Sequence, residues 1–184
     1  MVAVRRFSAS PPSFSMKHPL RFSFLLAVLA AVFAVVGCNT TTKKKNYDVT
    51  IARFLIEASD GDTFASVTLP VSGVQITVNN KPAVTELDYT GVQLAHADLG
   101  DFLVFNLTPD AARDVYRLTG NNQGKRLVLF INDKPVGARL IDRAMNTGSI
   151  AVFVAISDDL LPALVKNLNA TSVDIQKEIE KAKK

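Results

Sequence analysis

A lone thiol, one imidazole, a glycine-bracketed cationic loop and two close carboxylates are the residues of this chain whose types and spacing invite chemistry. Cys38 is the only cysteine among 184 residues, and it closes the run Phe33-Ala34-Val35-Val36-Gly37-Cys38. With no second cysteine, a disulfide within the chain is excluded, and the fold must stand on packing. Small residues at the end of an apolar run, just before this thiol, suit a signal cleavage point. Gly120-Asn121-Asn122-Gln123-Gly124-Lys125-Arg126 invites a phosphate-loop reading, and it fails. The spacing is one residue short of G-x-x-x-x-G-K-[ST], and Arg126 stands where a magnesium-binding hydroxyl belongs. A turn with a glycine cap accounts for it. His96 is the one histidine after residue 37, and a metal site needs several partners at suitable spacing. Its strand parity with Val92 and Leu94 predicts a partly buried strand histidine. Asp60-Gly61-Asp62 lacks the rest of a calcium loop and reads as a tight turn. No G-x-S-x-G context for a serine nucleophile is present. The sequence therefore predicts no catalytic residue, cofactor or metal; a hydrolase is the remote alternative.

The N-terminal residues set an address. Arg5, Arg6, Lys17, His18 and Arg21 precede a continuous apolar stretch, Phe22 to Val36. That stretch is short against the about 20 residues of a membrane-spanning helix, and it suits a secretory signal. The ending Val35-Val36-Gly37-Cys38 resembles the bacterial lipobox. The resemblance implies that residues 1–37 are a lipoprotein signal peptide. It also implies that Cys38 is lipidated on sulfur, palmitate included, and becomes the new N-terminus. Met16 is a second candidate start beside Met1. Asn39 follows the cysteine, where aspartate marks inner-membrane retention in some bacteria. By that analogy the protein is expected on the outer membrane, facing the periplasm.

The formal charge of +4 misleads. Arg5, Arg6, Lys17 and Arg21 lie within residues 1–37, which hold no acids. Setting those four aside leaves 17 basic residues against 17 acidic ones. A neutral chain has no global field to gather nucleic acid. Residues 38–46, with Lys43, Lys44 and Lys45, are polar and aperiodic and read as a short tether. The remainder, 47–184, suits a single domain.

Within that domain the pattern predicts strands over Val49–Ala58, Phe64–Leu69, Val74–Val78, Leu87–Ala97 and Phe102–Leu107, separated by turn residues. Thr108-Pro109-Asp110 is a helix start: threonine caps, proline fits the first turn, and the acid favours the positive dipole end. Ala111, Ala112, Val115 and Leu118 then fall at helical spacing, with Tyr116 flanking. Strands follow over Leu127–Ile131, Pro135–Ala138 and Ser149–Ala155. One helical turn is expected over Leu140–Met145. Ser157-Asp158-Asp159 is expected to cap a helix through Leu168, burying Leu160, Leu161, Leu164, Val165 and Leu168. Thr171 is expected to begin a last, polar helix.

The order of these pieces carries a second resemblance. Phe105-Asn106-Leu107-Thr108-Pro109, the helix ending Tyr116-Arg117-Leu118-Thr119, and Asn121-Asn122-Gln123-Gly124-Lys125-Arg126-Leu127 come first. Asn132-Asp133-Lys134-Pro135, Ile141, Gly148 and Ser157-Asp158-Asp159-Leu160 follow. Together they resemble the head of the first periplasmic domain of the protein-export membrane protein SecD, over about 102 to 168. The order β-α-β-β-β-α predicts an α+β fold, an antiparallel sheet with helices packed on one face and a ferredoxin-like C-terminal part. Whether the strands over 49–97 extend that sheet or form a second one stays open. The SecD family carries several transmembrane helices, and this sequence shows none after the signal.

The resemblance implies a non-catalytic head module that contacts exported polypeptide or a translocon subunit. The alternative is a structural or assembly lipoprotein with one fixed folded partner. Phe102, Phe105, Tyr116 and Phe130 are the candidate partner-binding residues, each with a core role as its competitor. The other expected partner is the membrane, through the lipid at Cys38.

Overall fold

The computed structural model describes residues 45–59 and 64–182. Cys38, the apolar run before it and the Asp60-Gly61-Asp62 turn lie outside the described residues.

Among the described residues there are eight strands: β1 (Ala52–Ile56), β2 (Phe64–Thr68), β3 (Gln75–Asn79), β4 (Tyr89–Ala97), β5 (Gly100–Leu107), β6 (Arg126–Ile131), β7 (Lys134–Leu140) and β8 (Ser149–Phe153). Two helices of the described residues interrupt and end the series, α1 (Pro109–Gly120) and α2 (Leu161–Ala182). All pairings are antiparallel, in three sheets ordered β1-β6-β7, β2-β3 and β4-β5-β8. The fold is α+β, with helices packed against antiparallel sheet. The strands over 49–97 do both things left open by the sequence. β1 joins β6 and β4 joins β5, while β2 and β3 form a hairpin of their own.

β6 explains the layering. Leu127, Leu129 and Ile131 point into the main core with Phe54, Phe105, Ile150 and the helix residues Val115 and Leu168. Val128, on the opposite face, packs with Ile76 and Val78 of the β2–β3 hairpin. A strand buried on both faces is apolar without alternation, as Leu127–Ile131 is. Pro135 in β7 sits opposite Phe130 where the register shifts, an irregularity that tolerates a residue without an N–H.

α1 begins as its sequence dictates. Thr108 accepts from the Ala111 N–H at 3.3 Å, and Pro109 and Asp110 fill the first turn. Three expectations are corrected. The Leu140–Met145 segment is not a helical turn: Leu140 ends β7, and Ile141 and Met145 are buried from an irregular backbone. Ser157 makes no side-chain cap; Asp158–Leu160 forms a 3₁₀ turn before α2, and Leu160 is exposed. Finally, Thr171 does not start a new helix, because α2 runs unbroken through it.

Candidate functional site

Strand parity sorts β4, β5 and β8 into two faces. Leu103, Phe105, Ile150 and Val152 point into the core, beneath the helices. Their neighbours Phe102, Val104, Ala151 and Phe153 point outward, as do Ala95 and Ala97 by register. Around these residues the outer face is apolar, and no helix of the described residues covers it. Phe102 and Phe153, directly paired across β5 and β8, set their rings 5.3 Å apart at 49°. With Leu140, Ala97, Ala138 and Arg139 they line a groove of about 600 Å³.

The groove continues. Arg139 and Ala151 also line a second hollow of about 490 Å³ that reaches Val104, Arg143 and Thr147. Asn146 and Thr147 in turn form one wall of a third, of about 620 Å³, whose other wall is the Tyr116 side of α1. Shared lining residues link these three hollows into one belt.

The belt crosses the seam where β7 meets β8. The Ala155 N–H donates to the Val136 carbonyl at 2.6 Å, and the Arg139 guanidinium donates to the Ala151 carbonyl at 2.9 Å. Gly137 lies between these ties, so close that an added Cβ would stand 2.2 Å from the Phe153 carbonyl oxygen. The loop walling the belt is pinned from below. Buried Thr119 donates to the Val115 carbonyl at 2.7 Å and accepts from the Met145 N–H at 2.9 Å.

Three of the arginines along the belt have an acidic neighbour. Arg113 pairs with Asp110, Arg117 with Asp114 at 3.7 Å, and Arg143 with Asp142 at 3.4 Å. Apolar rings, arginines, amides and hydroxyls offer surface and hydrogen bonds; they do not assemble a nucleophile and a base. Among the described residues, no group of three or more His, Cys, Asp and Glu side chains is placed to hold a metal ion. The Gly120–Arg126 segment holds no phosphate cradle either. The Gly124 N–H donates to the Ile141 carbonyl at 2.9 Å, Lys125 reaches the Ser59 hydroxyl, and Arg126 pairs with Glu57 at 3.1 Å.

The sequence-predicted residues scatter. Phe102 lies in the belt, half-buried against Phe153, and Tyr116 stands at its far end, 51% exposed. Phe105 is wholly buried, its ring edge-on to Phe54 and Tyr89 at 5.0 and 5.4 Å, and presents no surface. Phe130 is half-buried in the small core under the β2–β3 hairpin. Sequence reasoning missed Phe153 and Leu140, although the alternation Ser149-Ala151-Phe153 against Ile150-Val152 carried the signal. His96 is corrected: its side chain is 80% exposed and meets Asp101 across the strand pair at 2.6 Å. Parity holds, but β4 outruns the layer that would have buried it. Lys45, in the segment read as tether, pairs with Asp174 of α2 at 3.2 Å, and the Tyr47 hydroxyl donates to the same carboxylate.

No described helix is long and apolar enough to cross a membrane. No known protein family's profile matches the chain, and no curated protein matches it in sequence. Solved structures do resemble it. A crystal structure of SecDF in a super-membrane-facing form aligns with 67% of this chain at 19% identity and a TM-score of 0.51. A second structure, of a membrane component SecDF that enhances protein export, aligns with 87% of this chain at 15% identity and a TM-score of 0.51. This chain spans 19% of the length of the first and 71% of the second. At these identities the likeness is one of fold: the chain shares an α+β fold with part of each of these SecDF structures.

Proposed function

We propose that this chain is a non-catalytic envelope lipoprotein, lipidated at Cys38, whose folded domain binds exported polypeptide or a translocon subunit on its outer face. The observation that carries the reading is a half-covered outer face. The β2–β3 hairpin seals the outer face of β6 with Ile76 and Val78. The adjoining outer face, around Phe102, Phe153 and Leu140, has no such cover, and Leu140 and Phe153 are 55% and 45% exposed. Contiguous exposed apolar surface beside satisfied polar groups is the character of an interaction surface. The likeness in fold to a SecDF component that enhances protein export supports a polypeptide-handling role. The lipid on Cys38 would hold the domain at the membrane, since each buried methylene contributes about 0.8 kcal/mol.

In-cell crosslinking of the full chain, followed by mass spectrometry, tests this, with Cys38→Ser and Phe153→Ser as comparisons. Recovery of translocon subunits or many exported precursors, reduced by both substitutions, is the expected result. Recovery of one stoichiometric folded partner would replace this reading with an assembly role.

A further inference from the structure

β4 is an edge strand, and the described residues cover only half of it. The Val92 N–H donates to Asn169 Oδ1 at 2.7 Å, and Asn169 Nδ2 donates to the Val92 carbonyl at 2.8 Å. The amide of Asn169 thus supplies what the peptide group of a neighbouring strand would. Ser172 donates to the Tyr89 carbonyl at 3.2 Å. Backbone groups alternate in direction along an antiparallel strand, so those of Leu94 and His96 point the same way as those of Val92, away from β5. No donor or acceptor among the described residues meets them, and Gln93, Leu94, His96 and Ala97 are all exposed. The edge of the other three-stranded sheet, on β1, is treated differently. The extended segment Ala83–Val84 lies against it, with Phe54 donating to the Val84 carbonyl at 2.8 Å and accepting from Ala83 at 2.8 Å.

Resting on the polypeptide-binding reading above, we propose that the free half of β4, Gln93 to Ala97, receives an extended segment of another polypeptide by strand addition. Unpaired N–H and C=O groups in a strand select an extended backbone whatever its sequence. The surroundings narrow the occupant. Side chains of the added strand on the outer face would extend the row Phe153–Phe102–Ala95 outward, beside Ala97, so apolar ones are favoured there. On the other side, α2 presents Asn169 to β4, and Val165 and Lys166 share that helical face. Lys166 has no carboxylate partner among the described residues, so an acidic side chain there is favoured. A second copy of this chain fits poorly. Stable interfaces between folded proteins bury on the order of 1,600 Å² with about 20 to 30 residues a side, and the free edge ends at Asn169 after a few residues.

Leu94→Pro removes the outward N–H while leaving the β4–β5 ladder, which uses Gln93 and Ala95. The probe is a fluorescein-labelled, reduced and carboxymethylated α-lactalbumin, which is unfolded and acidic; binding to the full chain is read by anisotropy. Amide hydrogen exchange at Leu94 and His96 is followed with and without the probe. We expect binding by the wild type, affinity about tenfold weaker in Leu94→Pro, and slowed exchange at both amides in the complex. Equal binding by Leu94→Pro with unchanged exchange overturns the edge site and leaves the polypeptide-binding reading standing. Absence of binding by the wild type overturns both. Protection of the two amides without probe, in step with a doubled mass on sedimentation, assigns the edge to a second copy and overturns the proposal. Should Leu94→Pro fail to fold, exchange in the wild type decides the matter alone.

Discussion

Single side chains do much of the stitching that backbone pairing leaves undone. Arg53 on β1 donates through Nε and Nη2 to the two oxygens of Glu86 at 2.9 Å each, tying the strand to the segment that covers its edge. This fork holds the Glu86 carboxyl below its ordinary value of 4.5, against the opposing effect of burial. The arginine's own value is raised by the same pair, so it stays charged throughout. Because folding favours the ionised Glu86, its contribution is complete above pH 4.5 and fades as pH falls through the lower folded value. Urea midpoints measured across that range should show Glu86→Gln less stable than wild type at neutral pH and the two converging in acid. A constant gap would mean that the charge of Glu86 contributes nothing. Local chemistry of this scale is partly legible in a sequence. Thr108-Pro109-Asp110 was readable because a cap depends on its own next three residues. His96 was misread because parity names a face without saying where the layer above that face ends.

Elements obey the same division between local and distant causes. Leu140, Ile141 and Met145 have helical spacing, yet the backbone there takes its partners from far away. Ile141 donates to the Lys125 carbonyl at 2.8 Å and accepts from Gly124, while Met145 donates to Thr119. The expected break at Thr171 vanishes for the same reason. Its hydroxyl accepts from the Thr50 N–H at 3.0 Å, and Asn169 and Ser172 engage β4. Residues that favour caps in isolation are here committed to tertiary partners, so α2 continues. The β7–β8 seam is the element-level feature that shapes the belt, and Gly137 permits it. Gly137→Ala places a methyl against the Phe153 carbonyl, where backbone rather than a flexible side chain must yield. A cost of about 1–3 kcal/mol follows, read as a lower urea midpoint. The Ala155 amide, which donates across the seam, should exchange faster. If Gly137→Ala matches wild type in both, the seam is looser than its geometry implies.

At the scale of the molecule, β6 is shared between two cores of unequal size, and this sets how the domain opens. The larger core joins both helices to β1, β4, β5, β6 and β8; the smaller holds Ile76, Val78 and Val128 under the β2–β3 hairpin. No periodicity in the sequence announces this, because a doubly buried strand reads only as a run of apolar residues, and the second layer comes from residues some fifty positions earlier. Cooperative units tend to follow such packing boundaries. Leu129→Ala, facing the helices, removes buried volume from the larger core and should lower global stability by about 2–5 kcal/mol. Val128→Ala, facing the hairpin, should act mainly on the smaller one. Hydrogen exchange separates the two. Val128→Ala is expected to speed exchange of the β2 and β3 amides while β5 and α2 stay close to wild type, whereas Leu129→Ala speeds all of them. Equal acceleration everywhere in Val128→Ala would show the hairpin to be bound into one cooperative unit. It would then be a fixed wall beside the open apolar face, unable to lift and lengthen the surface offered to a partner.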